Sequence, residues 1–237
     1  MIYVTGDTHG GTLRVQHFCE MNHTTVDDIL IILGDVCVNY YKTISDMILK
    51  EKLSRLPITL FCIHGNHEDR PQNLSSYISK PFGDNGETVY YEPDFPNLLF
   101  AVDNGLYEFG GKRFYVMGGA YSVDKYYSLA RNKPWFADEQ PSEELKADAL
   151  KDILKFNEWY NGVDYVLTHT CPLKYEPTEA FLEFIDQSKV DKSTEIFLQE
   201  IENKLVYSNW LCGHYHIDKI KDKIRFFFND VEKLEDI

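Results

Sequence analysis

The sequence has no excess of positive charge and no long apolar run. It contains 24 Lys and Arg residues against 38 Asp and Glu residues, for a formal net charge of −14 at pH 7. Because such a charge repels polyanions, binding of extended nucleic acid or of an anionic membrane surface is disfavoured. No stretch approaches the ~18 consecutive apolar residues of a membrane span, and the first residues do not form a basic, apolar signal segment. We therefore expect a protein without a membrane segment.

Clustered cysteines are also absent. The chain has five cysteines, an odd number, and they lie far apart in the sequence: Cys19, Cys37, Cys62, Cys171 and Cys212. This spacing favours neither a disulfide framework nor a structural zinc site with several thiolate ligands. Internal repeats, low-complexity tracts and linkers are missing as well. We expect reduced, buried thiols in a cytoplasmic protein with a single domain over residues 1–237.

Strand-like and helix-like patterns alternate in the first third of the chain, which predicts parallel strands joined by helical crossovers. The predicted strands cover residues 2–5, 29–33 and 58–63, and the predicted helices cover residues of about 12–21, 42–55 and 72–79. Further along, the patterns predict a hairpin at Gly110-Gly111, a helix capped by Ser142, a helical region from about 178 to 206, and three short strands between 210 and 228. The mixture predicts an α/β fold with two stacked mixed sheets flanked by helices.

Five short polar pieces follow runs of β-forming residues. They are Asp7-Thr8-His9, Gly34-Asp35, Gly65-Asn66-His67-Glu68, Thr168-His169-Thr170 and Gly213-His214-Tyr215-His216. Side chains that follow strand ends collect along one edge of an open α/β sheet, where such folds place their sites. Each piece taken alone is an ordinary turn or helix cap. Five of them in order predict one shared site rich in carboxylate, imidazole and amide groups.

This set of side chains fits divalent transition metals, because calcium prefers oxygen ligands only. The candidate ligands are Asp7, His9, Asp35, Asn66, His169, His214 and His216. Seven ligands are too many for one ion but suffice for two if a carboxylate bridges them. Two such ions clamp the attacking and leaving oxygens in phosphoester hydrolysis, and His67 is placed to protonate the leaving oxygen. Manganese is the expected metal, with iron, zinc or nickel as alternatives.

The five pieces in this order resemble the calcineurin-like metallophosphoesterase superfamily, over nearly the whole chain. The resemblance implies a four-layer α/β/β/α sandwich and a hydroxide that bridges two metals as the nucleophile. It assigns Asp7, His9 and His216 to one metal and Asn66, His169 and His214 to the other. Asp35 would bridge the two metals, and His67 would contact the phosphate or the leaving group.

One departure from the resemblance concerns the branch of protein Ser/Thr phosphatases. That branch has an Asp and an Arg three and four residues after the Asp of its Gly-Asp motif, where this chain has Val38 and Asn39. Asn39 could contact phosphate but cannot supply the charge of an Arg.

A second segment, Gly118–Asp124, offers further candidates for substrate binding. It contains Tyr121, which is a candidate for stacking on a base. Arg131, which follows the segment, is a candidate for binding phosphate.

The sequence leaves three functions open. A phosphomonoesterase acting on a small or exposed phosphoester is favoured over a phosphodiesterase or nucleotide hydrolase of the same fold. The alternative from a different class is a metal-binding interaction scaffold without catalysis. The chain has a suitable residue at every expected metal-ligand position and a histidine at position 67, which argues against this alternative. The sequence indicates neither the physiological substrate nor the oligomeric state.

Overall fold

A computed structural model describes residues 1–237. The strands are β1 Ile2–Thr5, β2 Ile29–Ile32, β3 Thr59–Cys62, β4 Ile78–Phe82, β5 Glu87–Tyr91, β6 Leu98–Ala101, β7 Leu106–Phe109, β8 Lys112–Met117, β9 Val163–Thr168, β10 Tyr207–Cys212, β11 Lys219–Lys221, β12 Ile224–Phe226 and β13 Val231–Lys233. The helices are α1 Leu13–Asn22, α2 Ile44–Ser54, α3 Lys125–Ala130, α4 Glu143–Tyr160 and α5 Ser193–Lys204. No helix is long and apolar enough to cross a membrane.

The strands form two mixed sheets. The first has seven strands in the order β13-β1-β2-β3-β6-β5-β4, and its neighbours β1, β2, β3 and β6 run parallel. The second has six strands in the order β11-β12-β10-β9-β8-β7, with β12, β10, β9 and β8 parallel. The parallel strands are the ones that carry the polar pieces, so each sheet brings several of them to one edge.

Apolar side chains fill three interfaces between four layers. Helices α1 and α2 cover the outer face of the first sheet, where Val15 and Leu53 lie in one cluster with Leu60 of β3. The two sheets pack face to face through a second cluster that includes Phe61 of β3 and Leu167 of β9. Helices α4 and α5 cover the second sheet through a third cluster. The α/β/β/α fold predicted from the sequence is thus confirmed.

Local predictions are confirmed where the sequence pattern is strong. Gly110 and Gly111 form the turn between β7 and β8, with φ of 58° and 70°. The Ser142 hydroxyl oxygen accepts a hydrogen bond from the backbone N–H of Leu145 at 3.2 Å and caps α4. The three short strands near the end of the chain are present as β10, β11 and β12.

One helix prediction is wrong, and another is confirmed only in part. Residues predicted as a helix over 72–79 form a single 3-10 turn, and the chain then enters edge strand β4, which pairs with β5 from Ile78 onwards. Only Ser193–Lys204 of the predicted helical region 178–206 is an α-helix. Before it, the Asp186 carboxylate accepts a hydrogen bond from the backbone N–H of Ser188 at 3.1 Å. Such a local turn competes with an α-helix, and residues 176–190 form two short 3-10 turns, Thr178–Ala180 and Gln187–Lys189, joined by irregular stretches.

Candidate metal centre

The five polar pieces meet at one end of the two sheets. Asp7 and His9 follow β1, Asp35 follows β2, and Asn66 follows β3 in the first sheet. The remaining candidate ligands follow the neighbouring strands β9 and β10 of the second sheet: His169, His214 and His216. Two groups of metal-binding atoms result, each within 4.8 Å of one another: Asp7 with His9 and His216, and Asp7 with Asp35 and His169. The structure therefore brings together residues from opposite ends of the chain.

The first group is open to solvent on its histidine side. Asp7 Oδ2 lies 3.3 Å from His216 Nε2 and 3.7 Å from His9 Nε2. This carboxylate oxygen is buried and accepts no hydrogen bond, although a buried anionic oxygen is costly unless it is paired. The Nε2 atoms of His9 and His216 are 2.8 Å apart. Lone pairs and negative charge therefore converge on one point, which fits a divalent cation.

The second group is fully buried around His169. Its Nδ1–H donates to the carbonyl oxygen of Leu33 at 2.8 Å, so that in the neutral imidazole the lone pair is on Nε2. That nitrogen faces another acceptor, Asn66 Oδ1, at 2.9 Å, and Asp35 Oδ2 at 3.5 Å. Burial alone would lower the pKa of His169, but the carboxylates of Asp35 and Asp7 outweigh it and raise the pKa to about 10. In the metal-free protein a proton thus occupies a position that suits a cation.

His214 lies next to this group in the neutral form. Its ring centroid is 5.0 Å from that of His169. Burial and the charge of His169 lower the pKa of His214 to about 3, so it presents the unprotonated imidazole that metals bind. Its backbone N–H donates to Asp7 Oδ1 at 3.0 Å. This bond ties the loop after β10 to the loop after β1.

Asp35 belongs to the second group and also lies close to the first. Its Oδ2 is 3.5 Å from His169 Nε2 and 4.0 Å from His9 Nδ1, while its Oδ1 accepts a hydrogen bond from the backbone N–H of His67 at 2.8 Å. Burial would raise the pKa of this carboxyl, but the positive charge of His169 beside it holds the pKa well below its usual range. Asp35 is therefore an anion that contacts both groups and also orders His67.

Several residues of the site have backbone conformations that residues other than glycine rarely adopt. Four candidate ligands have positive φ: His9 at 45°, Asp35 at 49°, His214 at 68° and His216 at 53°. Such residues cost of order 1–3 kcal/mol each and cluster at functional sites. Gly34 shows how tight the packing is, because a Cβ there would lie 2.1 Å from His169 Nδ1. The Gly-Asp piece therefore needs glycine before its ligand.

Two hydrogen-bonded residues that the sequence did not reveal orient the Asn66 amide. Asn66 Nδ2 donates to Ser122 Oγ at 3.0 Å, and Ser122 Oγ donates to Glu139 Oε2 at 2.6 Å. The backbone N–H of Ser122 also donates to Glu139 Oε1 at 3.2 Å. Since the amide nitrogen is engaged, Asn66 Oδ1 must face His169. The one sequence indication was that Ser122 lies in the segment 118–124, which follows a strand.

Glu68 joins the loops after β2 and β3. Its side chain is fully buried, and its two oxygens accept hydrogen bonds from the backbone N–H groups of Cys37 at 3.0 Å and Gly65 at 3.2 Å. Burial, followed by the negative charge of Asp35, raises the pKa of Glu68 to about 8. Glu68 therefore fixes the spacing of two loops that carry Asp35 and Asn66 without reaching solvent.

Two cavities of about 550 Å³ each open beside the metal-binding groups, and His67 lines both. Tyr121 lines the first cavity, together with Asp35, His214 and His216. The second cavity is lined by His9, Cys37, Tyr40, Tyr41 and Lys52, among others. The structure therefore places His67 at the junction of two spaces that a substrate could fill.

The structure does not bring two other candidate substrate-binding residues to these cavities. The Asn39 side chain is buried and donates to the hydroxyl of Tyr77 at 3.0 Å. Arg131 follows α3, and its guanidinium lies 4.4 Å from the ring centroid of Tyr127. Neither residue lines either cavity. Asn39 is used in packing because the chain after Asp35 turns inwards, whereas Arg131 stacks on an aromatic ring of its own helix.

Comparison with known proteins agrees with this geometry. The family description "calcineurin-like phosphoesterase" matches residues 1–218. The crystal structure of TT1561 of Thermus thermophilus shares the fold, with a TM-score of 0.52 at 12% sequence identity over 96% of this chain and 89% of that chain. A second solved structure aligns with a TM-score of 0.49 at 12% identity, over 95% of this chain and 88% of its own. No curated protein matches this chain in sequence. With a family match over most of its length and the ligand pattern assembled at one edge, the chain belongs to the calcineurin-like phosphoesterase family.

Proposed function

We propose that this protein hydrolyses phosphoesters with two divalent metal ions. The observation that carries the proposal is the convergence of carboxylate, imidazole and amide groups from five loops, above all the buried Asp7 Oδ2, which accepts no hydrogen bond, beside His9 and His216. Asp7, His9 and His216 would hold one ion. Asn66, His169 and His214 would hold the other, with Asp35 between them.

The ions, when bound, supply neutralisation of phosphate charge and a water molecule acidic enough to act as a nucleophile near neutral pH. The residues of the chain then have separate tasks. The backbone N–H of His67 is anchored on Asp35 at 2.8 Å, and its ring faces both cavities. From that position His67 donates a proton to the leaving oxygen as the ester bond breaks. Glu68, Ser122 and Glu139 hold the loops in place.

The monoester class, which the sequence favours, and the diester class are both compatible with this chemistry. One observation favours the diester: two cavities meet at His67, and a diester has two substituents to place. The absence of Arg and Lys from the first cavity also suits the single negative charge of a diester phosphate. A monoester would need only one of the two cavities.

The cellular setting of the reaction is part of the same proposal. Manganese is the expected metal, with iron, zinc or nickel as alternatives that the same ligands accept. All five cysteines are free, and four of them are buried, which supports a cytoplasmic location. The net charge of −14 supports a small or exposed phosphoester as the substrate rather than extended nucleic acid.

The test compares two substrates on metal-free and manganese-loaded protein. Hydrolysis of p-nitrophenyl phosphate and of bis(p-nitrophenyl) phosphate is followed with the protein treated with chelator and then reloaded. We expect hydrolysis that depends on manganese, and the ratio of the two kcat/KM values assigns the ester class. Metal-independent hydrolysis would contradict the two-metal proposal, and absence of hydrolysis across a broad panel of phosphoesters would favour the non-catalytic scaffold.

A further inference from the structure

The first cavity has a lining that combines metal-binding groups with an apolar segment of the chain. Asp35, His214 and His216 belong to this lining. The segment of residues 176–190 contributes Phe181, Leu182, Ile185 and Val190. We call this segment the 176–190 wall. A phosphate at the metal centre would therefore point one of its substituents towards an apolar surface.

The 176–190 wall is attached to the loops that carry the ligands. The Phe181 ring stacks on Tyr215, with centroids 6.2 Å apart and planes at 21°, and Tyr215 lies between His214 and His216 in the chain. The Tyr215 hydroxyl is 3.0 Å from Thr170 Oγ1, next to His169. Because the wall packs on the same residues that position the ligands, its distance from the reacting phosphate is fixed by the fold.

The charge of the cavity has one sign outside the histidines. No Lys or Arg lines it, whereas Asp35, Asp124, Glu176 and Glu195 do. Lys192 forms an ion pair with Glu176, at 2.7 Å between Nζ and Oε2, so these two charges offset each other, and burial raises the pKa of Glu195 to about 7. Outside the metal-binding groups, an additional anionic group in this cavity would therefore meet the carboxylate of Asp124 and no lining Lys or Arg.

We propose that this cavity binds the substituent of the phosphoester and selects substituents that are apolar and carry no negative charge. The inference rests on the proposed function and narrows its substrate class. Apolar cavities with few polar groups bind the apolar part of a ligand, while the phosphate charge is met at the metal centre. Nucleoside polyphosphates, sugar bisphosphates and esters with a carboxylate near the phosphate are expected to be poor substrates.

The experiment uses a pair of aryl phosphates that differ by one charge. They are 4-carbamoylphenyl phosphate, which has a neutral substituent, and 4-carboxyphenyl phosphate, whose substituent is anionic. The kcat/KM ratio of this pair is measured for the manganese-loaded wild-type protein and for Leu182→Lys. If the protein accepts only diesters, the methyl diesters of the same two phenols replace the monoesters. Comparing the ratio between proteins cancels the different intrinsic reactivities of the two phenols.

We expect Leu182→Lys to shift the ratio towards the anionic substrate by about tenfold, which corresponds to one charge interaction of about 1.4 kcal/mol. The control is Leu154→Lys, because Leu154 lies on α4, away from the cavity, and is 54% exposed against 50% for Leu182. It should leave the ratio unchanged. A ratio that is the same in all three proteins would overturn the inference.

A binding measurement separates this inference from the proposed function. The affinities of 4-carbamoylbenzylphosphonate and 4-carboxybenzylphosphonate, which cannot be hydrolysed at the P–C bond, are measured by calorimetry on the manganese-loaded protein. Tighter binding of the neutral analogue by about tenfold supports the inference even if no ester is cleaved, which would refute only the proposed function. Equal affinities together with normal hydrolysis refute the inference alone, and absence of both binding and hydrolysis refutes both.

Discussion

Removing the Ser122 hydroxyl tests whether residues behind the site position a metal ligand. In Ser122→Ala, Asn66 Nδ2 loses its partner at 3.0 Å, and Glu139 Oε2 loses its partner at 2.6 Å. Ser122 is 3% exposed and Glu139 is 2% exposed, so neither contacts substrate in a cavity. The amide of Asn66 becomes free to rotate and to turn its nitrogen towards His169. A nitrogen with two N–H bonds cannot bind a cation, and so the substitution acts on the metal through Asn66.

The size of the effect follows from the bonds that are lost. Loss of partners behind a metal ligand costs about 10–100-fold in metal affinity, which is about 1.4–2.7 kcal/mol. We expect this loss for the ion that Asn66 would hold and little change for the ion near Asp7. The unpaired amide and carboxylate should also lower the free energy of unfolding by about 1–3 kcal/mol. Glu139→Gln should have a smaller effect, because its amide oxygen still accepts a hydrogen bond.

The assay is equilibrium dialysis against a manganese series, with bound metal counted per chain and two dissociation constants fitted. Ser128→Ala is the matched control: Ser128 is also 3% exposed, and its hydroxyl donates to Asp124 at 3.0 Å rather than to a residue behind a ligand. It should bind both ions with wild-type affinity. Equal weakening in Ser122→Ala and Ser128→Ala, or no weakening in either, would refute the positioning role of Ser122.

Three further predictions concern the groups closest to the ions. Asp35→Ala should reduce bound manganese from two ions to at most one per chain. It should lower kcat/KM by more than about 10–100-fold, which is the typical effect of removing a residue that only hydrogen-bonds to a metal ligand. Two tightly bound ions in this variant would contradict the bridging position of Asp35. His67→Gln should leave the metal content unchanged and lower kcat by about 10²–10⁴ for alkyl phosphates, with a smaller loss for p-nitrophenyl phosphate, whose leaving group needs no proton; equal losses for both would exclude a proton donor. Because the pKa of His169 is raised to about 10 in the metal-free protein, metal binding must release this proton, so affinity should rise about tenfold per pH unit between pH 6.5 and 9; calorimetry in two buffers of different ionisation enthalpy counts the proton, and a pH-independent affinity would contradict the assignment.

The strands and the ligand types could be predicted because they depend on local sequence. Runs of β-formers that end in polar residues are visible without a structure, and they correctly located β1, β2, β3, β9 and β10. Helices with clear caps, such as α4 after Ser142, could also be predicted. The helix predicted over 72–79 does not form, because pairing of β4 with β5 outweighs a weak local helical preference.

The placement of side chains around the ligands depended on contacts between distant residues. Asn39 follows Asp35 closely in sequence, yet it is buried against Tyr77. Arg131 is the residue predicted from the sequence to bind phosphate, yet its guanidinium stacks on Tyr127. In contrast, Ser122 contacts Asn66 across 56 positions. None of these outcomes is encoded in a periodic pattern, since each results from which surfaces the two sheets bring together.

The fold class, the order of the ligands and the kind of chemistry they support could be predicted from the amino-acid sequence, because each ligand follows a strand end by a few residues. Which ligands meet depends on the packing of the two sheets. Asp7 Oδ2 lies 3.3 Å from His216 Nε2 because β1 and β10 belong to different sheets whose carboxyl ends meet at one end of the sandwich. The same packing laid the 176–190 wall beside the site, although its sequence predicted a helix. Long-range packing of sheets, which sequence periodicity does not record, therefore defines the pocket beside the metal-binding groups.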